Sequence, residues 1–252
     1  MGERAAVRIS PRDLRRSCLV VAMATLAGVG LCNAVAGAPT KVEVRAVGSF
    51  QTVLWLAAGE LTIEQTHRER LSVEAEPHVL AKLVTELRDG QLTIAFAPGT
   101  SVQTQWPIRV RLELKSLSAL VARGSGTLRL GPLRTPALSL HLEGSEDLRL
   151  ARLDADRLEI RLDGSGDLAI EGGQVRHQQV VISGAGRYHA AHLASRTADV
   201  ALDGSGELRV AVSERLDARI DGSGDVLYVG QPLVRQRVGG AGAVHRLAAP
   251  PR

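Results

Sequence analysis

Apolar residues recur at every second position across residues 118–246, and glycine triplets interrupt the alternation at regular intervals. The triplets are Gly124-Ser125-Gly126, Gly144-Ser145-Glu146, Gly164-Ser165-Gly166, Gly184-Ala185-Gly186, Gly204-Ser205-Gly206, Gly222-Ser223-Gly224 and Gly240-Ala241-Gly242; they start 20, 20, 20, 20, 18 and 18 residues apart. Two residues before each stand Ala122, Leu142, Leu162, Ile182, Leu202, Ile220 and Val238. Four after each first glycine stand Leu128, Leu148, Leu168, Tyr188, Leu208, Val226 and Val244. A period of two marks strands with one buried face.

A turn of about 20 residues holds two or three such strands but cannot bury its own apolar face. Stacked turns can, because equivalent strands pair about 4.8 Å apart and their side chains form columns. The reading is therefore all-β: a single-stranded right-handed β-helix, or β-solenoid, with 18–20-residue turns. The glycines serve as corners, supplying positive φ and leaving no Cβ where one turn passes tightly over the next. The shortening to 18 places a two-residue loss between Gly204 and Gly222, most simply at the corner opposite the triplet. Pro232 and Pro250-Pro251 suggest a fraying or capping end.

Residues 42–118 alternate as well but lack the triplet, notably at 42–44, 61–63, 71–73, 92–94 and 108–112. Asp89-Gly90 is a hairpin turn signal. Val79–Leu87 reads as either a short helix or an extended edge. The expected organisation is one solenoid over 39–248, with 39–118 as irregular first turns and cap and 119–248 as the repeat.

The N-terminus changes the compartment. Five arginines within residues 1–16, an uncharged run from Cys18 to Leu31 and Ala36-Gly37-Ala38 describe a secretory signal peptide cut after Ala38. Retained, the uncharged Cys18–Ala38 stretch would just span a bilayer, the one membrane contact expected. Arg15-Arg16 matches a twin-arginine signal loosely. Leu31 before Cys32 breaks a lipobox. Both cysteines fall in the removed segment, so the mature chain has no thiol chemistry. Removing five arginines and two acids from 31 basic and 27 acidic residues leaves 26 and 25. That balance gives no reason to expect nucleic acid as partner.

The combination of signal peptide, Val47-Gly48-Ser49-Phe50, Asp89-Gly90-Gln91-Leu92-Thr93-Ile94 and the Asp-Gly-Ser-Gly-Asp/Glu repeats at 163–167, 203–207 and 221–225 resembles the head GIN domain family of auto-transporter adhesins. The resemblance covers about residues 42–248. It implies an exported β-helix at the periplasm or cell surface, and it brings no catalytic residues.

Candidate chemistry is sparse. Asp163, Asp167, Asp203, Glu207, Asp221 and Asp225 flank triplets in the manner of the Ca²⁺-binding nonapeptide of another β-roll. That motif supplies two facing loops per turn, whereas this chain supplies one per 18–20 residues. Ser183 with Arg187, and Gly239 with Ala243, replace the acids at two triplets. Either these carboxylates form weak Ca²⁺ sites or they are solvated turn residues; no other cofactor is expected. Arg187 falls between acids in the column Asp147, Asp167, Arg187, Glu207, Asp225, so charges alternate across turns. His189 and His192 point to opposite faces of a strand, a poor arrangement for joint ligation. Ser195 and Ser213 lack a nucleophile context. Few aromatics are available for a sugar platform: Tyr188 and Tyr228 read as inward, Trp55 and Trp106 as core or cap packing in the irregular N-terminal part, and Trp106 beside Pro107, if exposed, is the first site to probe.

Three functions are compatible with this pattern. The first is a non-enzymatic envelope protein, an adhesin or scaffold binding glycan or protein. The second is a polysaccharide-acting β-helix enzyme, disfavoured because acids recur evenly instead of clustering. The third is a Ca²⁺-stabilised β-roll.

Overall fold

The computed structural model describes residues 40–248. The expected export segment at 1–38, both cysteines and Pro250-Pro251 lie outside the described residues. The described chain opens with β1 (Lys41–Arg45), β2 (Thr52–Leu56), β3 (Gly59–Gln65), β4 (Arg70–Ala75), a one-turn helix α1 (Pro77–Leu80) and β5 (Leu83–Arg88). There follow β6 (Gln91–Phe96), β7 (Arg109–Leu114), β8 (Ala119–Gly124) and β9 (Gly126–Leu130). Long and short strands then alternate as β10 (Leu133–Gly144), β11 (Asp147–Leu150), β12 (Leu153–Gly164), β13 (Asp167–Ile170) and β14 (Gly173–Gly184). In β15 (Arg187–Gly204) and β16 (Glu207–Gly222) the short and long segments fuse, and β17 (Asp225–Val229), β18 (Leu233–Val238) and β19 (Val244–Arg246) complete the series. All belong to one 19-stranded sheet wound as a β-solenoid, as the sequence periodicity predicts.

Register explains why the period is so regular. β10 lies parallel to β8 and β12 with Leu140 facing Leu120 and Ile160, and the triplets face one another as Gly144 with Gly124 and Gly164. The inward columns are aliphatic: Leu120, Leu140, Ile160 and Val180 are fully buried, as are Leu128, Leu148 and Leu208. Each such side chain contributes about 1.5–3 kcal/mol by leaving water.

The ladder continues through the corner, where the Ser165 N–H donates to the Gly144 carbonyl (2.9 Å) and the Ser205 N–H to the Gly184 carbonyl (3.0 Å). Gly204 shows why the corner demands glycine. Its φ is +128°, and a Cβ there would lie 2.2 Å from the Gly184 carbonyl oxygen.

Three details refine the sequence expectations. First, the early turns are stacked out of chain order. β2 pairs with β6 on one side and β8 on the other, and β3 with β7 and β9. Residues 52–65 therefore lie between the 91–114 turn and the 119–130 turn. Val53 and Trp55 alternate inward in β2, a strand that the sequence reading passed over.

Second, Val79–Leu87 is divided, with α1 ending at Leu80 and β5 forming the extended edge. β5 joins β6 through Asp89 (φ +47°) and Gly90 (φ +75°), the expected hairpin turn.

Third, the shortening to 18 residues is not one deletion at one corner. Ala190 faces Val210 and Ala194 faces Ala211, so Ala191, His192 and Leu193 have no counterparts in the next turn. Thr197 then faces Arg215, so Arg196 corresponds to both Ser213 and Glu214. Three residues are lost at one corner and one is gained at the next.

Candidate binding groove

The long strands bend. Pairing skips Pro136, Asp156, Arg176 and Arg196 at the same level of successive turns. Residues 134–136 and their counterparts in the following turns line an open axial groove of about 1000 Å³ there. Its floor follows the outward column Arg134, Asp154, Gln174, Ala194, Ala211, Val229. Five steps at about 4.8 Å make it roughly 24 Å long.

The floor changes character along its length, from charged (Arg134, Asp154) through Gln174 to aliphatic (Ala194, Ala211, Val229). The rim is ion-paired: Arg176 Nε lies 3.0 Å from Asp156 Oδ1, and Arg196 Nε 2.7 Å from Glu214 Oε1. No aromatic ring lines the groove.

Beneath the aliphatic half runs a buried polar chain. The Tyr188 hydroxyl donates to Gln178 Oε1 (3.1 Å), Gln178 Nε2 donates to Ser195 Oγ (2.8 Å), and Ser195 Oγ donates to the Ala211 carbonyl (2.6 Å). Gln178 occupies a column otherwise filled by Leu138, Leu158, Ala198 and Leu216. Tyr188 stands below Leu168 in another, and burial pushes its phenol up. Ala190 and Ala198 in the same turn offset the volume of Tyr188. Every member of the chain is hydrogen-bonded, which offsets the cost of taking it out of water, and it spans the turn where the period shortens. Ser195 is thus a core hydroxyl.

The six acids proposed from sequence lie at the triplet corners. His141 Nε2 and Arg161 Nε each lie 2.9 Å from Asp163 Oδ2. Burial works to raise the Asp163 carboxyl, and these hydrogen bonds outweigh it and hold the group below its ordinary value. Asp167 Oδ1 receives Arg187 Nε at 2.9 Å. Glu207 is held low first by the hydrogen bond from Arg209, with His189 adding to it. Asp221 pairs with Arg219 at 2.7 Å, and Asp225 Oδ1 accepts from the Ala243 N–H at 2.9 Å. Asp203 faces Asp221 in the next turn. Among the described residues, no three His, Cys, Asp or Glu side chains come together in a metal-ligating group.

Trp55 is fully buried between Ile94 and Ala122, whereas Trp106 is exposed on the connection from β6 to β7. Tyr228 stands in the inward column after Val210 and is partly buried.

One residue escaped the sequence reading. Glu146 replaces the second glycine of its triplet and is only 1 % exposed, with both carboxylate oxygens unpartnered. Its carboxyl lies over Gly124 and Gly144, in the space their missing side chains leave. Burial pushes its pKa up to about 7. The signal was present in Gly-Ser-Glu, the one triplet whose third residue is not glycine.

Among the described residues, no helix is long and apolar enough to cross a membrane. No curated protein matches the chain in sequence. Solved structures match its fold. A "putative adhesin" from Bacteroides fragilis is 18% identical with a TM-score of 0.79, over 82% of this chain and 97% of its own. A "putative lipid binding protein" from Parabacteroides distasonis is 21% identical with a TM-score of 0.66, over 82% and 96%. A "putative adhesin" from Parabacteroides merdae is 20% identical, also with a TM-score of 0.66, over 82% and 96%. The model of one family, described as "Putative auto-transporter adhesin, head GIN domain", matches residues 49–232, and the chain belongs to that family.

Proposed function

We propose that the protein is an exported, non-enzymatic binding scaffold of adhesin type, whose axial groove receives an extended ligand lying along the solenoid. The groove itself carries this reading: a continuous channel across successive turns, with a graded floor and a rim already neutralised by its own ion pairs. The family and its neighbours named as adhesins support the class of function. The corner acids support binding over hydrolysis, because they are spread along the rod and four of them, Asp163, Asp167, Glu207 and Asp221, are engaged by arginines.

The test is an array of envelope glycans and extended peptides, with mass analysis of whatever binds. Ligand recovered intact supports a binding protein; shortened chains overturn it in favour of an enzyme. The aliphatic floor at Ala194, Ala211 and Val229 favours a second reading, in which the ligand is an acyl chain. One structural neighbour carries a lipid-binding name. A fatty acid that displaces the array ligand would favour that reading.

A further inference from the structure

The far end of the solenoid is an open edge. Among the described residues, β18 pairs with β16 alone and β19 with β17 alone, so the outer hydrogen-bonding side of the last turn has no partner. Among the described residues, nothing covers the ends of the inward columns there. Gln236 follows Ala218, Val238 follows Ile220 and Val244 follows Val226, and the residues of this last turn are exposed or only partly buried where their predecessors are sealed. An exposed ladder of this kind is a template for another strand.

Its charge is one-sided. Residues 226–248 contain no acid, and Arg235, Arg237 and Arg246 form no ion pair among the described residues. The columns show why. Arg235 stacks on Asp217, which Arg215 already engages at 2.9 Å, and Arg237 stacks on Arg219, which is committed to Asp221. Some outward charges in earlier turns are answered by the next turn, as Asp167 is by Arg187 and Arg123 by Glu143 at 2.8 Å, whereas Asp203 meets Asp221. Among the described residues, no further turn stacks on Arg235 and Arg237. A shallow concavity of about 400 Å³, lined by Asp199, Asp217, Arg235 and Arg237 among others, leads along the face to this edge.

From the open ladder and these unanswered arginines we infer that the C-terminal end of the solenoid binds an extended acidic segment of another protein by strand addition to β18. The segment lies parallel to β18, with acidic side chains two residues apart over Arg235 and Arg237. Aliphatic side chains between and beside them close over Val234, Gln236 and Val238. Backbone hydrogen bonds supply the affinity and the alternating side chains the selectivity. The site is separate from the groove and does not depend on what the groove holds.

The probe is a fluorescein-labelled peptide, Thr-Val-Glu-Val-Glu-Val-Thr with blocked ends, titrated with the full chain by anisotropy. Two comparison peptides carry lysine for glutamate or alternate N-methylated backbone amides. The glutamate peptide is expected to bind, and Arg235→Glu with Arg237→Glu to weaken it at least about tenfold, the scale of lost charge pairs at an edge. The lysine peptide should bind that double variant better than it binds the parent, which also shows that the variant folds. Absence of binding, equal binding of the lysine peptide, indifference to the double variant, or undiminished binding of the N-methylated peptide each overturns the inference. Saturation of the edge by a second copy, seen as a dimer in sedimentation that excludes the peptide, overturns it too.

Discussion

At the residue scale, the solenoid tolerates two kinds of polar burial and treats them differently. The Tyr188–Gln178–Ser195 chain is closed, every group having a partner. Glu146 is open, a carboxyl with no hydrogen bond in a column of glycines. Its consequence for pH has a definite sign. A carboxyl raised from 4.5 to about 7 in the folded state is neutral there, while the unfolded chain has already ionised. Between these values the unfolded state binds fewer protons, so stability falls as pH rises from about 4.5 and levels off above about 7. At about 1.4 kcal/mol per unit of pKa, the loss is about 3 kcal/mol at most. Glu146→Gln cannot ionise. Its chemical-denaturation stability relative to the parent should improve steadily across that window and stay constant beyond it; a difference independent of pH would refute the buried ionisation.

The strands and corners were legible where the same constraint repeats. Leu128, Leu148, Leu168 and Leu208 announce an inward column because each turn imposes the same packing on them. Gly144, Gly164, Gly184 and Gly204 announce corners because each lies beneath another backbone. The stacking of 52–65 between later turns was not legible, since alternation marks a strand's faces and says nothing of its neighbours. The redistribution of three lost residues and one gained was hidden for a related reason: triplet spacing reports only the net change.

Cross-turn charge belongs to this scale as well. Arg187 lies between Asp167 and Glu207 in one column and donates to Asp167. Arg187→Glu places five acids in succession from Asp147 to Asp225. The melting temperature should fall at low salt, and the deficit should shrink at about 1 M salt, where the Debye length is about 3 Å. An equal melting temperature at low salt would show that the column's charges do not interact.

At the scale of the whole molecule, the solenoid supplies two surfaces of different kinds: a groove along its flank and, among the described residues, an unpaired edge at its C-terminal end. Neither was visible in the sequence. The groove arises from a bend at Pro136, Asp156, Arg176 and Arg196, residues with no common chemistry, and its floor becomes visible only when Arg134, Asp154, Gln174, Ala194, Ala211 and Val229 are aligned by register. The acids flanking the triplets were legible because they repeat with the corners; Asp163, Asp167, Glu207 and Asp221 are engaged there by arginines, whereas Asp203 faces Asp221 and Asp225 accepts from the Ala243 N–H.

The groove is the central claim, and filling it is the most direct test. Ala194 faces outward at its middle and is exposed, so Ala194→Trp blocks the channel without entering the core. Calorimetric titration of the best array ligand into parent and variant should show binding to the parent and a loss of at least about tenfold in the variant, with melting temperatures alike. Equal affinity in the two proteins would place the ligand elsewhere and contradict the account.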